Sequence, residues 1–99
     1  MDLTSKQRKI LRSKAHHLKP YIIIGKNGLT KSSINSISTL LNQHELIKVK
    51  IVDKENRENI KDKILLKTSS SIVGSIGKIV IIYKESDNKD DAEKIKIND

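Results

Sequence analysis

The sequence predicts one small α/β domain of the α+β kind, with elements in the order αβαβαββ and helices packed on a mixed four-stranded sheet. Three observations predict it. Apolar residues recur at helical spacing in three segments, β-branched runs stand between and after them, and Pro20, Gly25, Gly28 and Gly77 fall at the junctions. The 99 residues suffice for a single core and leave none for a second domain.

The first helix starts at Thr4, an N-cap whose capping box is completed by Gln7, and is expected to run to about Leu18. Ile10, Leu11, Ala15 and Leu18 share one face. Arg8, Arg12 and Lys19 share another, with Lys9 and His16 beside them, so one side packs and the other is cationic. Pro20 ends this helix, because its ring cannot continue the hydrogen-bond ladder. Tyr21, Ile22, Ile23 and Ile24 then form an unbroken apolar run, the pattern of a strand buried on both faces and central in its sheet.

The loop Gly25, Lys26, Asn27, Gly28 leads into a second helix capped by Thr30, with Leu29 and Ile34 at the spacing of a hydrophobic staple. Ile34, Ile37, Leu40 and Leu41 form its apolar side. From Leu46 to Val52 the chain alternates, with Ile47, Val49 and Ile51 on one face and Lys48 and Lys50 on the other. Strand, helix and strand make a right-handed βαβ unit with parallel strands. A third, weaker helical stripe over residues 53–68 contains Ile60 and Ile64, with Leu65 or Leu66 as a further member, and is broken by Ser69, Ser70 and Ser71. Residues 72–76 and 79–83 flank Gly77 and Lys78, a pair suited to the two-residue type II′ turn of an antiparallel hairpin. The folded domain is therefore expected over residues 1–84, and the polar residues 85–99 as a charged, disordered tail.

Composition excludes several functions. Without cysteine there are no disulfides, thiol nucleophiles or cysteine-ligated metals, and three histidines make a poor metal cage. No run of about 20 apolar residues could span a bilayer. The N-terminus lacks the pattern of a signal peptide, so a cytoplasmic location is expected. Lys and Arg total 20 against 12 Asp and Glu, a net charge of +8. Cut after Val52, the first part holds ten basic and two acidic residues and the second ten of each, so the whole surplus lies in the first half. Such one-sided charge attracts a polyanion. With no Trp or Phe and only Tyr21 and Tyr83 as aromatics, neither membrane insertion nor multiple base stacking is supported, which leaves nucleic acid held through its phosphates.

The strand, the Gly25–Gly28 turn and the helix from Thr30 form the most informative constellation. Glycines let a sugar-phosphate backbone come close, and a helix N-terminus favours an anion. Lys26 adds charge at the tip and Lys31 in the first helical turn, where a cation opposes the helix dipole unless an external anion is present. The plain alternative is a connecting turn, since Asn-Gly is a common turn pair. The loop is neither a Walker A motif nor a dinucleotide fingerprint. His16 and His17, as helix neighbours, cannot converge on one atom. One ring is expected to pack at the helix-to-strand junction while the other is free for a phosphate or sugar. Ser32, Ser33, Ser36 and Ser38 lack a nucleophile-elbow context, and the carboxylates from Asp53 to Asp62 alternate with basic residues as on a solvated helix. No enzyme activity, metal or cofactor is expected.

Thr4, Lys6, Gln7 and Arg8, the run from Ala15 to Pro20, the run from Ile24 to Thr30, the segment from His44 to Lys50 and the closing Gly77–Tyr83 strand together resemble the CRM, or YhbY-like, RNA-binding domain. The resemblance covers Leu3 to about Lys84. It implies a fold similar to the C-terminal domain of a bacterial translation initiation factor, and for a stand-alone bacterial member it implies association with ribosomal RNA in precursor large subunits. Carried over by position, the family's glycine loop falls on Gly25, Lys26, Asn27 and Gly28, and its basic helix on Arg8, Arg12 and Lys19. Ser5, Lys14 and the Ser69–Ser71 run depart from its usual residues. RNA binding is thus expected through Arg8, Lys9, Arg12, His16, Lys19, Gly25, Lys26, Asn27, Gly28 and Lys31, by a monomer assisting ribosome assembly. The helix 1 strip is expected beside the glycine loop on the same edge of the sheet. Reversing charge at Lys26 and Arg12 is expected to weaken binding and spare stability. Other readings are a module docking an acidic protein on the same basic face, and a DNA-binding domain with a helix in the major groove.

Overall fold

The computed structural model describes residues 2–87, 89–90 and 94–97. Its elements run α1 (Ser5–Ala15), β1 (Ile22–Ile24), α2 (Lys31–His44), β2 (Leu46–Ile51), α3 (Arg57–Thr68), β3 (Ser71–Ile76) and β4 (Ile79–Tyr83). The expected αβαβαββ order and mixed four-stranded sheet are present, with spatial strand order β1-β2-β4-β3. β1 is parallel to β2, as the βαβ reading requires, and β4 is antiparallel to both β2 and β3.

The sheet separates two cores. Ile47, Val49 and Ile51 of β2 and Val80 and Ile82 of β4 face α2 and α3, which contribute Ile37, Leu41, Ile60 and Ile64. The alternate residues Leu46, Ile81 and Tyr83 face α1, whose Leu11 and Ala15 are fully buried there. Period-2 alternation in the strands and the 3.6 period in the helices meet at these two surfaces. Burial pushes the Tyr83 hydroxyl up to about 12, with the negative charges of Glu45 and Glu85 adding to it.

Local signals act where they were read. Thr4 forms the full capping box with Gln7, its Oγ1 accepting from the Gln7 N–H at 3.0 Å and its own N–H donating to Gln7 Oε1 at 3.0 Å. α1 is shorter than expected, because the chain leaves the helix at His16 ahead of Pro20. Ser69 closes α3 in the left-handed region, φ 56 and ψ 35, so a serine does there what glycine does more cheaply.

One expectation changes and one open alternative is resolved. β1 is an edge strand of three residues, with Ile24 buried but Ile23 61% exposed, because β4 and not β1 takes the central place beside β2. Leu65 is the half-buried member of the α3 stripe, while Leu66 is exposed. In the stretch 85–99 that the sequence reads as a tail, Ser86 is buried, and Ile95 and Ile97 pack on the α1-side core. Residues 88, 91–93, 98 and 99 lie outside the described residues.

Glu45 organises that segment. It is fully buried at φ 65, and its carboxylate accepts from the N–H groups of Ser86 and Ile95, both at 2.7 Å. A buried carboxylate is tolerable only with such charge-assisted bonds. Glu45→Ala is therefore expected to lower stability by at least about 2 kcal/mol, since two N–H groups lose their acceptor. Glu45→Gln, which retains one carbonyl oxygen, should fall between. Thermal unfolding followed by circular dichroism checks this, and a wild-type midpoint for the alanine variant would refute it.

Candidate nucleic-acid interface

β1 ends at the sheet edge and delivers the chain into the glycine loop. There the Gly28 N–H donates to the Gly25 carbonyl at 3.0 Å, closing a turn with Lys26 and Asn27 at its tip. Gly28 takes φ 82, a region side chains avoid. Gly25 differs: its φ is not positive, and a Cβ there would meet nothing within 4 Å. The fold needs glycine at Gly28, whereas no contact within the protein needs it at Gly25.

The loop opens directly onto α2. Thr30 caps it, its Oγ1 accepting from the Ser33 N–H at 3.0 Å, and the first turn contains no acidic residue. No acid of the helix's own first turn offsets the positive end of its dipole, and Lys31 adds to it. Loop and helix start form one wall of a groove of about 1090 Å³, and α3 forms the other. Lys26 and Lys31 line the first wall, Lys63 and Lys67 the second. Asp53 is the one acid among the lining residues. The Asn56 side chain donates to it at 2.8 Å and, with the N–H groups of Asn56 and Glu55 and the charge of Lys26, holds its carboxyl below the ordinary value.

α3 sorts its charges by face. Lys61 is ion-paired with Glu58 and Asp62, and the Glu58 bond above all raises its ammonium above the ordinary range. Lys63 and Lys67 have no ion-pair partner among the described residues, nor do Lys26 and Lys31. Sequence reasoning missed Lys63 and Lys67 because it took α3 as one mixed face. The signal was available: Asn59, Lys63 and Lys67 recur at four-residue spacing, on one side of the helix.

α1 lies over the opposite face of the sheet. Arg12 donates to the Val73 carbonyl at 3.3 Å and its stem runs against Gly74, where a Cβ would come within 3.2 Å of Arg12 Cδ. Arg8 donates to the Leu3 carbonyl at 2.7 Å and to Ser5 Oγ at 3.1 Å. Both arginines thus bind the protein itself, and Arg12 does so at β3, the edge opposite β1. The expected adjacency of this strip to the glycine loop does not hold for Arg12, and Lys19 precedes β1 whereas the loop follows it. Lys9 and Lys19 are exposed, as are His16 and His17, whose rings meet edge to face at 5.4 Å, so neither packs at the junction. Among the described residues no group of three or more potential ligands could hold a metal.

A family model of the CRS1 / YhbY (CRM) domain matches residues 3–84, a span that includes α1, the glycine loop and both groove walls. The chain belongs to the CRM domain family. It is 39% identical over 88 residues to the probable RNA-binding protein PA4753 of Pseudomonas aeruginosa, covering 87% of this chain and 85% of that one. It is 40% identical over 87 residues to an RNA-binding protein of Haemophilus influenzae, covering 86% and 88%. The solution structure of the hypothetical protein SAV1595 from Staphylococcus aureus has the same fold, with a TM-score of 0.67 and 38% identity over 88% of this chain and 94% of that one.

The two loop glycines of this CRM domain should separate on substitution. Gly28→Ala is expected to cost about 1 kcal/mol from its positive φ, whereas Gly25→Ala should leave stability unchanged or slightly raised. Denaturant unfolding of both variants decides, and equal losses would mean that the fold constrains Gly25 too. Arg12→Glu removes the donor to the Val73 carbonyl, so the double charge reversal with Lys26, expected from sequence to spare stability, is expected from the structure to lower it in thermal unfolding.

Proposed function

We propose that this protein binds RNA, without catalysing a reaction, by holding the phosphate backbone at the glycine loop and the start of α2. One observation carries the reading: Gly25, where a Cβ would meet nothing within 4 Å, adjoins Lys26 in a loop that opens onto a helix N-terminus whose first turn has no acid and carries Lys31, and neither lysine has an ion-pair partner among the described residues. Bare main chain admits a backbone phosphate closely, the helix end supplies N–H donors, and Lys26 and Lys31 supply mobile charge. The names of the Pseudomonas and Haemophilus relatives support RNA as the polyanion.

The RNA we propose is ribosomal. The CRM resemblance points to precursor large subunits and to a role in their assembly, and we propose a cytoplasmic monomer on the N-terminal sequence and the lack of an aromatic patch. Lys9, His16 and Lys19 then extend the contact, while Arg8 and Arg12 hold α1 in place and offer the guanidinium donors left over.

Lys26→Gln with Lys31→Gln should weaken RNA binding and reduce the slope of log K against log salt by about 0.7 to 1 per lysine, the lower value for a single strand. Gly25→Ala should weaken it with no loss of stability. Binding of all variants equal to wild type would overturn the placement. Sedimentation of a lysate at low and high salt tests the partner: migration with large subunits or their precursors, lost as salt rises, is expected. Protein confined to the top of both gradients would refute the ribosomal assignment.

A further inference from the structure

The second wall of the groove has no part in the reading so far, and its chemistry differs from that of the loop. Lys63 and Lys67 project from α3 without ion-pair partners among the described residues, one and two turns beyond Asn59. Across from them stand Lys26, Lys31 and Asn35. The balance is four lysines against the single carboxylate of Asp53, whose oxygens already accept from Asn56 and Glu55. The acids of α3 do not neutralise this wall, because Glu58 and Asp62 pair with Lys61. The side-chain amides of Asn35 and Asn59 are exposed, with no hydrogen-bond partner shown among the described residues.

We infer that this groove takes an unpaired RNA strand, with Lys63 and Lys67 as phosphate contacts facing those of Lys26 and Lys31, and Asn35 and Asn59 as contacts to base edges. This rests on the RNA-binding reading and adds α3 to it. Charge complementarity selects a polyanion, since four lysines with no ion-pair partner among the described residues border one trough against the single carboxylate of Asp53. The amides argue for an unpaired strand. In an A-form helix the sequence-bearing edges lie in a deep, narrow major groove, so short asparagine side chains reach edges only on splayed bases. The volume, about 1090 Å³, is at the upper limit of small-ligand sites and suits more than one nucleotide. No aromatic ring lines the groove, so discrimination among bases should be modest.

The test uses the full chain and two probes, a short mixed-sequence single-stranded RNA and a duplex of equal length, with affinity read by fluorescence anisotropy. Lys63→Gln with Lys67→Gln should weaken single-strand binding about tenfold or more and reduce its salt slope by about 1.4, at 0.7 per lysine. Duplex affinity should change less, and the melting temperature should not move. Asn59→Ala should weaken the single strand alone. Wild-type affinity in the α3 double variant, alongside weakened binding in the Lys26→Gln, Lys31→Gln protein, overturns this inference and leaves the RNA-binding reading intact. Equal weakening for both probes overturns the single-strand assignment. No binding of either RNA by the wild-type chain overturns both readings. Lys6→Gln, on α1, serves as the charge-loss control and should bind like wild type.

Discussion

β4 receives hydrogen bonds from β2 on one side and β3 on the other, and every residue from Val80 to Tyr83 is buried. Its side chains alternate between the α2–α3 core and the α1 core, so this strand joins two packing surfaces neither of which is large. Burying one such side chain is worth roughly 1.5–3 kcal/mol. Small domains are stable by only about 5–15 kcal/mol, so a few positions in this strand carry a large share. Because β4 occupies the place beside β2, β1 is left at the edge with one neighbour and three residues. The glycine loop therefore leaves the sheet where nothing packs over it.

The same arrangement leaves part of the α1-side sheet face bare. By register, Ile23 pairs with Lys50, Lys50 with Ile79, and Ile79 with Ile76, a cross-strand row in which only Ile79 packs on the α1-side core. Ile23 and Ile76 are 61% and 73% exposed. Apolar side chains at the ends and a lysine between them join the α1 side of the molecule to the loop edge without a carboxylate in the row. That face is where the surplus charge of the first half of the chain, at Lys48 and Lys50, meets the sheet.

Features set by neighbours in sequence were legible: the capping box at Thr4, the Thr30 cap, the two-residue turn at Gly77 and Lys78, and the parallel βαβ unit. Features set by distant partners were not. Three isoleucines in a row signal burial on both faces whether or not another strand arrives, and what denied β1 its second neighbour was β4, more than fifty positions later. The anchoring of Ser86 and Ile95 depends on Glu45, 41 and 50 residues away, and Glu45 has no local pattern to mark it as buried. Of the candidate site, the loop and Lys31 were legible because glycine spacing and helix caps are local. The α3 wall was obscured by intermixed charges that only the folded helix separates.

The division of labour between arginine and lysine follows from their chemistry. All three arginines donate to main-chain carbonyls that belong to the framework: Arg8 to Leu3, Arg12 to Val73 and Arg57 to Ile51. A planar guanidinium with five fixed donors can hold a carbonyl and still present charge outward, and its weaker hydration makes partial burial tolerable. Lysine's ammonium is a strongly hydrated point charge on a flexible stem. Lys26, Lys31, Lys63 and Lys67 stay in solvent, where a mobile stem would let each follow a phosphate in the proposed complex. An interface built from such side chains reads backbone geometry more than base identity. Its specificity must then come from the shape of the groove and from where α1, fixed by its arginines, sets the remaining cations.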